Sequence, residues 1–115
     1  MSIRLSLPLS LSVALSFLSV ASVPAAAQGL SDLHEKVRVG AKVCFVDHFH
    51  SGSSAGHRSK KEAEIAAIRS WQDFTGWEYG SAWGNFRMAE SRGIKCDGGG
   101  SSWGCNVQAR PCRRR

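Results

Sequence analysis

The sequence predicts a small α+β protein of β-α-β-β order, with one helix packed on a three-stranded antiparallel sheet and two disulfides. Three observations predict it: alternating apolar residues over 37–50, a capped amphipathic stretch that begins at Ser59, and a second alternating stretch that ends at Cys112. Strands and helices repeat their side-chain directions with different periods, so the changes of period give the order of the elements.

The first 27 residues have the composition of a secretory signal peptide. One charge, Arg4, precedes an apolar run from Leu5 to Val20, and the segment ends in the small residues PAAA at 24–27. Such residues suit signal peptidase, so cleavage is expected before Gln28. The alternative is an uncleaved membrane anchor, because residues 5–23 are almost long enough to span a bilayer. The sequence thus predicts a periplasmic or secreted protein without a transmembrane segment after cleavage.

The chain is basic, with a formal net charge of +6. Without Arg4 it still carries fourteen basic and nine acidic side chains, and residues 113–115 are three arginines. We expect Arg113, Arg114 and Arg115 to form a basic tail that attracts anionic polysaccharide or an envelope surface. No motif for specific nucleic-acid binding is present.

A domain is expected over residues 37–112, after a flexible lead-in at 28–36. Apolar residues of one parity predict a first strand from Val37 to His50. A Gly/Ser loop (SGSSAGHR) follows over 51–58. The apolar residues of the strand are Val37, Val39, Ala41, Val43, Phe45 and Phe49.

The segment after the loop has a helix start signal. Ser59-Lys60-Lys61-Glu62 has the S-x-x-E form of a capping box, in which side chains satisfy the free amides of a first helical turn. We predict a helix to about Phe74, stopped at Gly76, and an aromatic turn (WEYG) at 77–80. The predicted inward stripe is Ala63, Ala67, Trp71 and Phe74.

Residues 81–96 fit two structures. A helix aligns Trp83 with Phe86, whereas a strand aligns Phe86 with Met88, Ile94 and Cys96, with a bulge or bend over 90–93. A long bent strand is favoured because Gly84 and Gly93 weaken a helix. After a Gly-rich tip at 97–102, alternation predicts a last strand with Trp103, Cys105, Val107 and Ala109 inward.

The four cysteines favour two disulfides, because an even number in a short exported chain with no C-x-x-C spacing is typical of structural bridges. A helix that returns the chain makes the first two strands parallel, so an antiparallel sheet places the last strand between them. Cys96 then meets Cys105 beside the tip, and Cys44 meets Cys112 on the other parity. Cys44–Cys105 with Cys96–Cys112 is the alternative pairing.

This layout resembles the dodecins, small β-α-β-β proteins in which a capped helix crosses three antiparallel strands. The likeness lies in residues 43–54 (VCFVDHFHSGSS), the helix 60–71, residues 83–94 (WGNFRMAESRGI) and the closing hairpin. It implies the topology and self-association into a homo-oligomer. Dodecins are cytoplasmic and stack flavin on a tryptophan, near the place of Trp83, but this chain differs in its signal peptide and cysteines. No functional residue is taken over and no cofactor is expected. The same order also resembles many small exported bacterial proteins of unknown role.

One cluster has metal-ligand character. His48 and His50 are two residues apart on the predicted strand, so their imidazoles face one side about 7 Å apart. His57 can join them from the loop, and neutral imidazole suits zinc or copper. The other interpretation is a pair of polar residues on an exposed sheet face.

Aromatic and basic side chains predict a surface for a ligand or partner at the aromatic turn, beside the outer face of the sheet. Stacking and charge suit envelope sugars, peptidoglycan fragments or a protein partner. The chain has no G-x-S-x-G elbow and no evident pair of carboxylates across a cleft, so no enzyme is predicted. We expect a non-enzymatic binding or interaction domain; the alternatives are a periplasmic metal-binding protein and a cationic protein that binds polyanions or the envelope surface. The surface residues are Trp77, Tyr79, Trp83, Arg87 and Arg92.

Overall fold

The computed structural model describes residues 30–115, so the predicted signal peptide lies outside the described residues. The described part is an α+β structure with one α-helix, two antiparallel sheets and two disulfides. Its elements are a 3-10 turn at Ser31–Leu33, β1 (Lys36–Val39), β2 (Lys42–Phe45), β3 (His50–Ser53), α1 (Lys60–Tyr79), 3-10 turns at Ser81–Trp83 and Phe86–Met88, β4 (Glu90–Gly99), β5 (Ser102–Arg110) and β6 (Cys112–Arg114).

The predicted single first strand is wrong, because residues 37–50 contain a turn and a loop. Gly40 takes a φ of 61° and, with Ala41, closes a hairpin in which Val39 pairs with Lys42. Strand β6 pairs with the other edge of β2, which gives a sheet of order β1-β2-β6. The alternation of apolar residues continues through this two-residue turn, so the side-chain period does not show where the strand ends. Gly40 is the residue in the sequence that indicates the turn.

The second sheet has the order β3-β5-β4, with the last strand of the hairpin in the centre. The expectation of one three-stranded sheet is therefore wrong, since the described residues form two. Helix α1 covers one face of this second sheet and buries Val107 and Ala109 of β5 against its own Ala63 and Ala67. Part of the predicted Gly/Ser loop is strand β3, because Gly52 lets the backbone of β3 lie directly against α1.

Helix α1 begins as predicted but ends later. The Glu62 N–H donates to Ser59 Oγ at 3.1 Å, which caps the first turn. The helix continues through Gly76, since Thr75 and Tyr79 extend its buried stripe. Phe74, predicted to face inward, lies beside that stripe and is half-exposed.

The strand interpretation of residues 81–96 holds only from Glu90 onward, because two 3-10 turns come first. The turns bury Trp83 and Phe86. The bulge or bend expected over residues 90–93 is present as a shift of register between Glu90 and Gly93.

The disulfides are Cys44–Cys112, which joins β2 to β6, and Cys96–Cys105, which joins β4 to β5. These are the pairs that strand sidedness selects. Two disulfides are typical of extracellular or periplasmic proteins. In residues 30–115, no helix has the length and apolar character needed to cross a bilayer.

Both ends of the predicted domain are more ordered than expected. The lead-in contains the 3-10 turn and the first residue of β1, Lys36. Arg113 and Arg114 belong to β6 instead of forming a tail, and the N–H of Arg115 donates to the carbonyl of Ala41 at 3.3 Å. The three arginines are therefore partly structural.

Candidate functional site

The last two turns of α1 carry a stack of aromatic rings that opens to solvent. Trp77 is 79% exposed and Phe74 is 51% exposed, although both are large apolar side chains. Their ring centroids lie 6.1 Å apart with an angle of 16° between the planes. The other face of Phe74 stacks on His50 at 4.9 Å. We call Phe74 and Trp77, with His50 behind them, the aromatic shelf.

His50 holds the shelf in place from the protein interior. Its Nε2 lies 2.8 Å from Glu78 Oε2, and its Nδ1 lies 3.0 Å from Thr75 Oγ1. Its carbonyl accepts a hydrogen bond of 2.9 Å from the indole N–H of Trp71. Since three residues of α1 fix His50, the Phe74 ring stacked on it is preorganised and loses little side-chain entropy on binding a ligand.

A polar groove runs beside the shelf between α1 and the 3-10 turns that follow it. Its volume is about 520 Å³. Trp77 lies one helical turn after Asp73, so the two residues share a side of α1, but Phe74 and Trp77 are not themselves among the residues that line the groove. The lining residues are Gln72, Asp73, Gly76, Ser81, Gly84 and Asn85.

Glycines form the floor of the groove and amides line its wall. A Cβ on Gly84 would lie 2.7 Å from the carbonyl oxygen of Gln72, so only glycine lets the two segments pack this closely. The side-chain oxygen of Gln72 accepts from the Phe86 N–H, and that of Asn85 accepts from the Arg87 N–H. Because their oxygens are engaged, both amides keep NH₂ donors for a ligand.

A second cluster, the histidine cluster, consists of His34, His48 and Tyr79. The two imidazoles stack with centroids 4.0 Å apart, and the Tyr79 hydroxyl lies 2.6 Å from His48 Nε2 and 3.3 Å from His34 Nε2. Burial, with the nearby Glu78, raises the pKa of Tyr79 to about 12. The phenol is therefore protonated at neutral pH, and its hydroxyl shares a hydrogen bond with His48. Sequence reasoning missed His34, which reaches the cluster from the predicted lead-in.

Two of the three predicted histidines lie together, with the ring centroids of His48 and His50 5.5 Å apart, whereas His57 lies far from His50. His57 pairs through its backbone with Trp103, whereas His50 pairs with Ala109 at the other end of β5. Six residues of strand separate the two positions by about 20 Å. Within residues 30–115, no three His, Cys, Asp or Glu side chains are arranged to hold a metal ion.

The histidine cluster makes stability depend on pH. Burial lowers the pKa of His48 below its ordinary 6.5, and the positive charges of His34 and His50 lower it further, while Glu78 opposes them. A histidine with a lowered folded-state pKa binds its proton more readily in the unfolded chain. Stability is then full above the unfolded value and falls as the pH drops below it.

We expect the free energy of unfolding to decrease steadily between about pH 7 and about pH 5.5, before most carboxylates titrate. Urea unfolding at a series of pH values measures it. A His48→Gln variant, whose amide can still hydrogen-bond to Tyr79 but does not titrate, should show a shallower dependence in this window. An equal slope in the two proteins would show that another group is responsible.

The structure separates the residues of the predicted aromatic surface. Trp77 is exposed, but Tyr79 and Trp83 are only 3% and 4% exposed and pack around Phe45. The guanidinium of Arg113 lies over the Trp83 ring, 5.4 Å from its centroid. Arg87 and Arg92 are exposed, on a 3-10 turn and on β4. Phe74 takes the place of Trp83 beside Trp77, a change that its i, i+3 spacing on a longer helix could have suggested.

The outer face of the second sheet, opposite α1, is polar. A depression of about 460 Å³ crosses it around Ser51, Gly93, Lys95 and Gln108. Amide, hydroxyl and ammonium groups line this face, but no aromatic ring is among the residues of the depression. The aromatic shelf and its polar groove are therefore the more distinctive site.

No protein-family model matches the chain, and no curated protein or solved structure matches it either. The resemblance to the dodecins is limited to the order of β3, α1, β4 and β5, because β1, β2 and β6 form a second sheet that the predicted β-α-β-β layout lacks. Function must be argued from the site itself.

Proposed function

We propose that this protein is a non-enzymatic glycan-binding domain of the periplasm or the cell exterior, and that the aromatic shelf is its platform for a sugar ring. The observation that carries the proposal is Trp77, which is 79% exposed yet stacked on a second ring. Exposing two stacked aromatic rings to water is unfavourable, so such a surface indicates a binding site. A single exposed aliphatic residue does not.

The shelf suits the apolar face of a pyranose. The C–H groups on one face of such a ring carry small positive partial charges, which meet the negative face of an indole. Trp77 and Phe74 together form a surface larger than one ring. The stack of Phe74 on His50 keeps the inner part of that surface in place before any ligand arrives, and Trp77 stacks on Phe74 in turn.

The groove supplies the polar half of sugar recognition. Sites for small ligands combine apolar area with a few placed polar groups. Here the amide NH₂ groups of Gln72 and Asn85 donate, the Asp73 carboxylate accepts, and the Ser81 hydroxyl does both. A sugar that stacks on Trp77 can direct its hydroxyls toward this wall.

The number of carboxylates in the groove favours binding of a sugar over its hydrolysis. Glycosidases place two carboxyl groups on either side of the scissile bond. Among the described residues that line the groove, Asp73 alone carries a carboxylate. The groove therefore supports recognition without cleavage.

A Trp77→Ala variant should bind sugar at least about thirtyfold more weakly, since a central tryptophan often contributes about 2 kcal/mol or more. We would titrate N-acetylglucosamine oligosaccharides and soluble peptidoglycan fragments by calorimetry. Ile65→Ala, another exposed apolar position on α1, is the matched control and should bind like the unaltered protein. Binding that survives Trp77→Ala, or no binding at about millimolar sugar, would contradict the proposal.

The same titration separates stacking from charge attraction. Binding of a neutral oligosaccharide to the shelf should change little with added salt, whereas binding of a polyanion to arginines weakens steeply. A strong salt effect with loss of binding in an Arg114→Ala, Arg115→Ala variant would favour the cationic alternative.

A further inference from the structure

Strand β4 forms an open edge of the second sheet. It is ten residues long and pairs only with β5 within the part of the chain that the structure describes. Its residues from Ser91 to Gly99 are exposed except for the half-buried Cys96. Long exposed edges are templates for pairing with another strand, so natural proteins cover them, charge them or use them.

The hydrogen bonds of β5 show which backbone groups of β4 point to the open side. Cys105 donates to Ser54 Oγ and accepts from the Ser54 N–H, and Trp103 exchanges two bonds with His57. Both residues therefore direct their backbone groups toward the β3 side. The residues opposite them, Cys96 and Gly98, form non-hydrogen-bonded pairs with β5.

Two further observations agree with this assignment. The Cα atoms of Cys96 and Cys105 are 4.0 Å apart, which is the short spacing of a non-hydrogen-bonded pair. By alternation, Ile94 opposite Val107 belongs to the same set. The N–H and C=O groups of Ile94 and Cys96 thus point away from β5 along the open edge, whose regular part ends at Gly98, where φ is 129°.

We propose that this edge pairs antiparallel with β4 of a second copy of the chain, about a two-fold axis at Cys96. In this register the two Cys96 residues exchange both backbone hydrogen bonds. Ile94 of each copy then lies opposite Gly98 of the partner subunit. The outward groups of both Cys96 residues are satisfied across one symmetric interface.

Charge complementarity selects this register. Lys95 and Asp97 lie on the same face of β4, because each is two residues from the other. With the axis at Cys96, Lys95 stands opposite Asp97 of the partner subunit, and the pair occurs twice. An axis at Lys95 or at Asp97 would instead place two like charges directly opposite each other, which destabilises a sheet.

The apolar face of the edge also fits. Ile94 is 42% exposed although it lies opposite the buried Val107, on the helix side of the sheet. The residue opposite it in this register is a glycine, which leaves room for the isoleucine side chain. The dimer is a continuous six-stranded sheet with both α1 helices on one face and the aromatic shelves outside the new interface.

The test measures the mass of the mature, oxidised protein by sedimentation velocity between about 1 μM and about 1 mM. We expect a concentration-dependent dimer. Lys95→Asp and Asp97→Lys should each raise its dissociation constant at least about tenfold, since each places like charges opposite each other twice. The double variant Lys95→Asp, Asp97→Lys restores the opposite charges and should recover the dimer.

The matched control is Lys61→Asp, which makes the same charge change at an exposed site on α1 and should leave the dimer intact. A monomer over the whole range would overturn the proposal. A dimer that withstands both single changes, or that the double variant does not recover, would overturn it as well. The result is independent of sugar binding, because Trp77→Ala should not change the mass.

Discussion

A Gly52→Ala variant is expected to lose about 3 kcal/mol of folding stability, the upper end of the cost of overpacking. A Cβ at this position would lie 2.5 Å from the backbone nitrogen of Trp71 and 2.8 Å from its Cα, and it would also overlap the carbonyl oxygen of Ala67. All three atoms belong to the backbone of α1, so no side chain can rotate away. The helix and β3 must separate, which opens the core around Trp71.

Chemical denaturation followed by tryptophan fluorescence measures this loss. Gly93→Ala is the matched control, because the same methyl group on β4 would meet no atom within 4 Å. Its effect should stay within about 0.5 kcal/mol. If Gly52→Ala is as stable as Gly93→Ala, the backbones of β3 and α1 are far enough apart at Gly52 to accommodate a Cβ.

The two disulfides are expected to differ in their contribution to stability. Cys44–Cys112 closes a loop with a sequence separation of 68, and Cys96–Cys105 closes one of 9. The chain-entropy relation gives about 4 kcal/mol for the first and about 3 kcal/mol for the second. Cys44→Ala, Cys112→Ala should therefore be the less stable double variant.

The order of the two effects is the informative result, and urea unfolding of both double variants under oxidising conditions provides it. Cys44–Cys112 also fixes β6, whose Arg113 lies over Trp83, so its removal should expose the core around Phe45. If the variant without Cys96–Cys105 loses more free energy of unfolding, that disulfide stabilises the β4–β5 hairpin by more than the length of its loop indicates.

Local signals in the sequence predicted several elements well. The Ser59 cap and the inward positions of β5 are present in the structure, since each depends on contacts or periods within a few residues. The end of α1 was placed too early because Gly76 is a poor helix residue, yet burial of Tyr79 outweighs that local preference.

The candidate site was predicted only in part. The aromatic neighbourhood of Trp77 predicts an exposed surface there, and the residue is exposed. The sequence does not predict Phe74 as its neighbour, because the choice between Phe74 and Trp83 depends on where the chain turns after residue 80. The spacing of His48 and His50 predicts that they lie together, but His34 comes from a segment whose sequence carries no sign of its contact with His48.

Side-chain period, capping and composition are enough to predict the α+β class, the start of the helix, the β4–β5 hairpin and the two disulfides. Which aromatic rings are covered, which histidines meet and which strand is left at an edge depend on how the elements pack. Those outcomes depend on contacts between residues far apart in the chain, and no local pattern records which surfaces will meet.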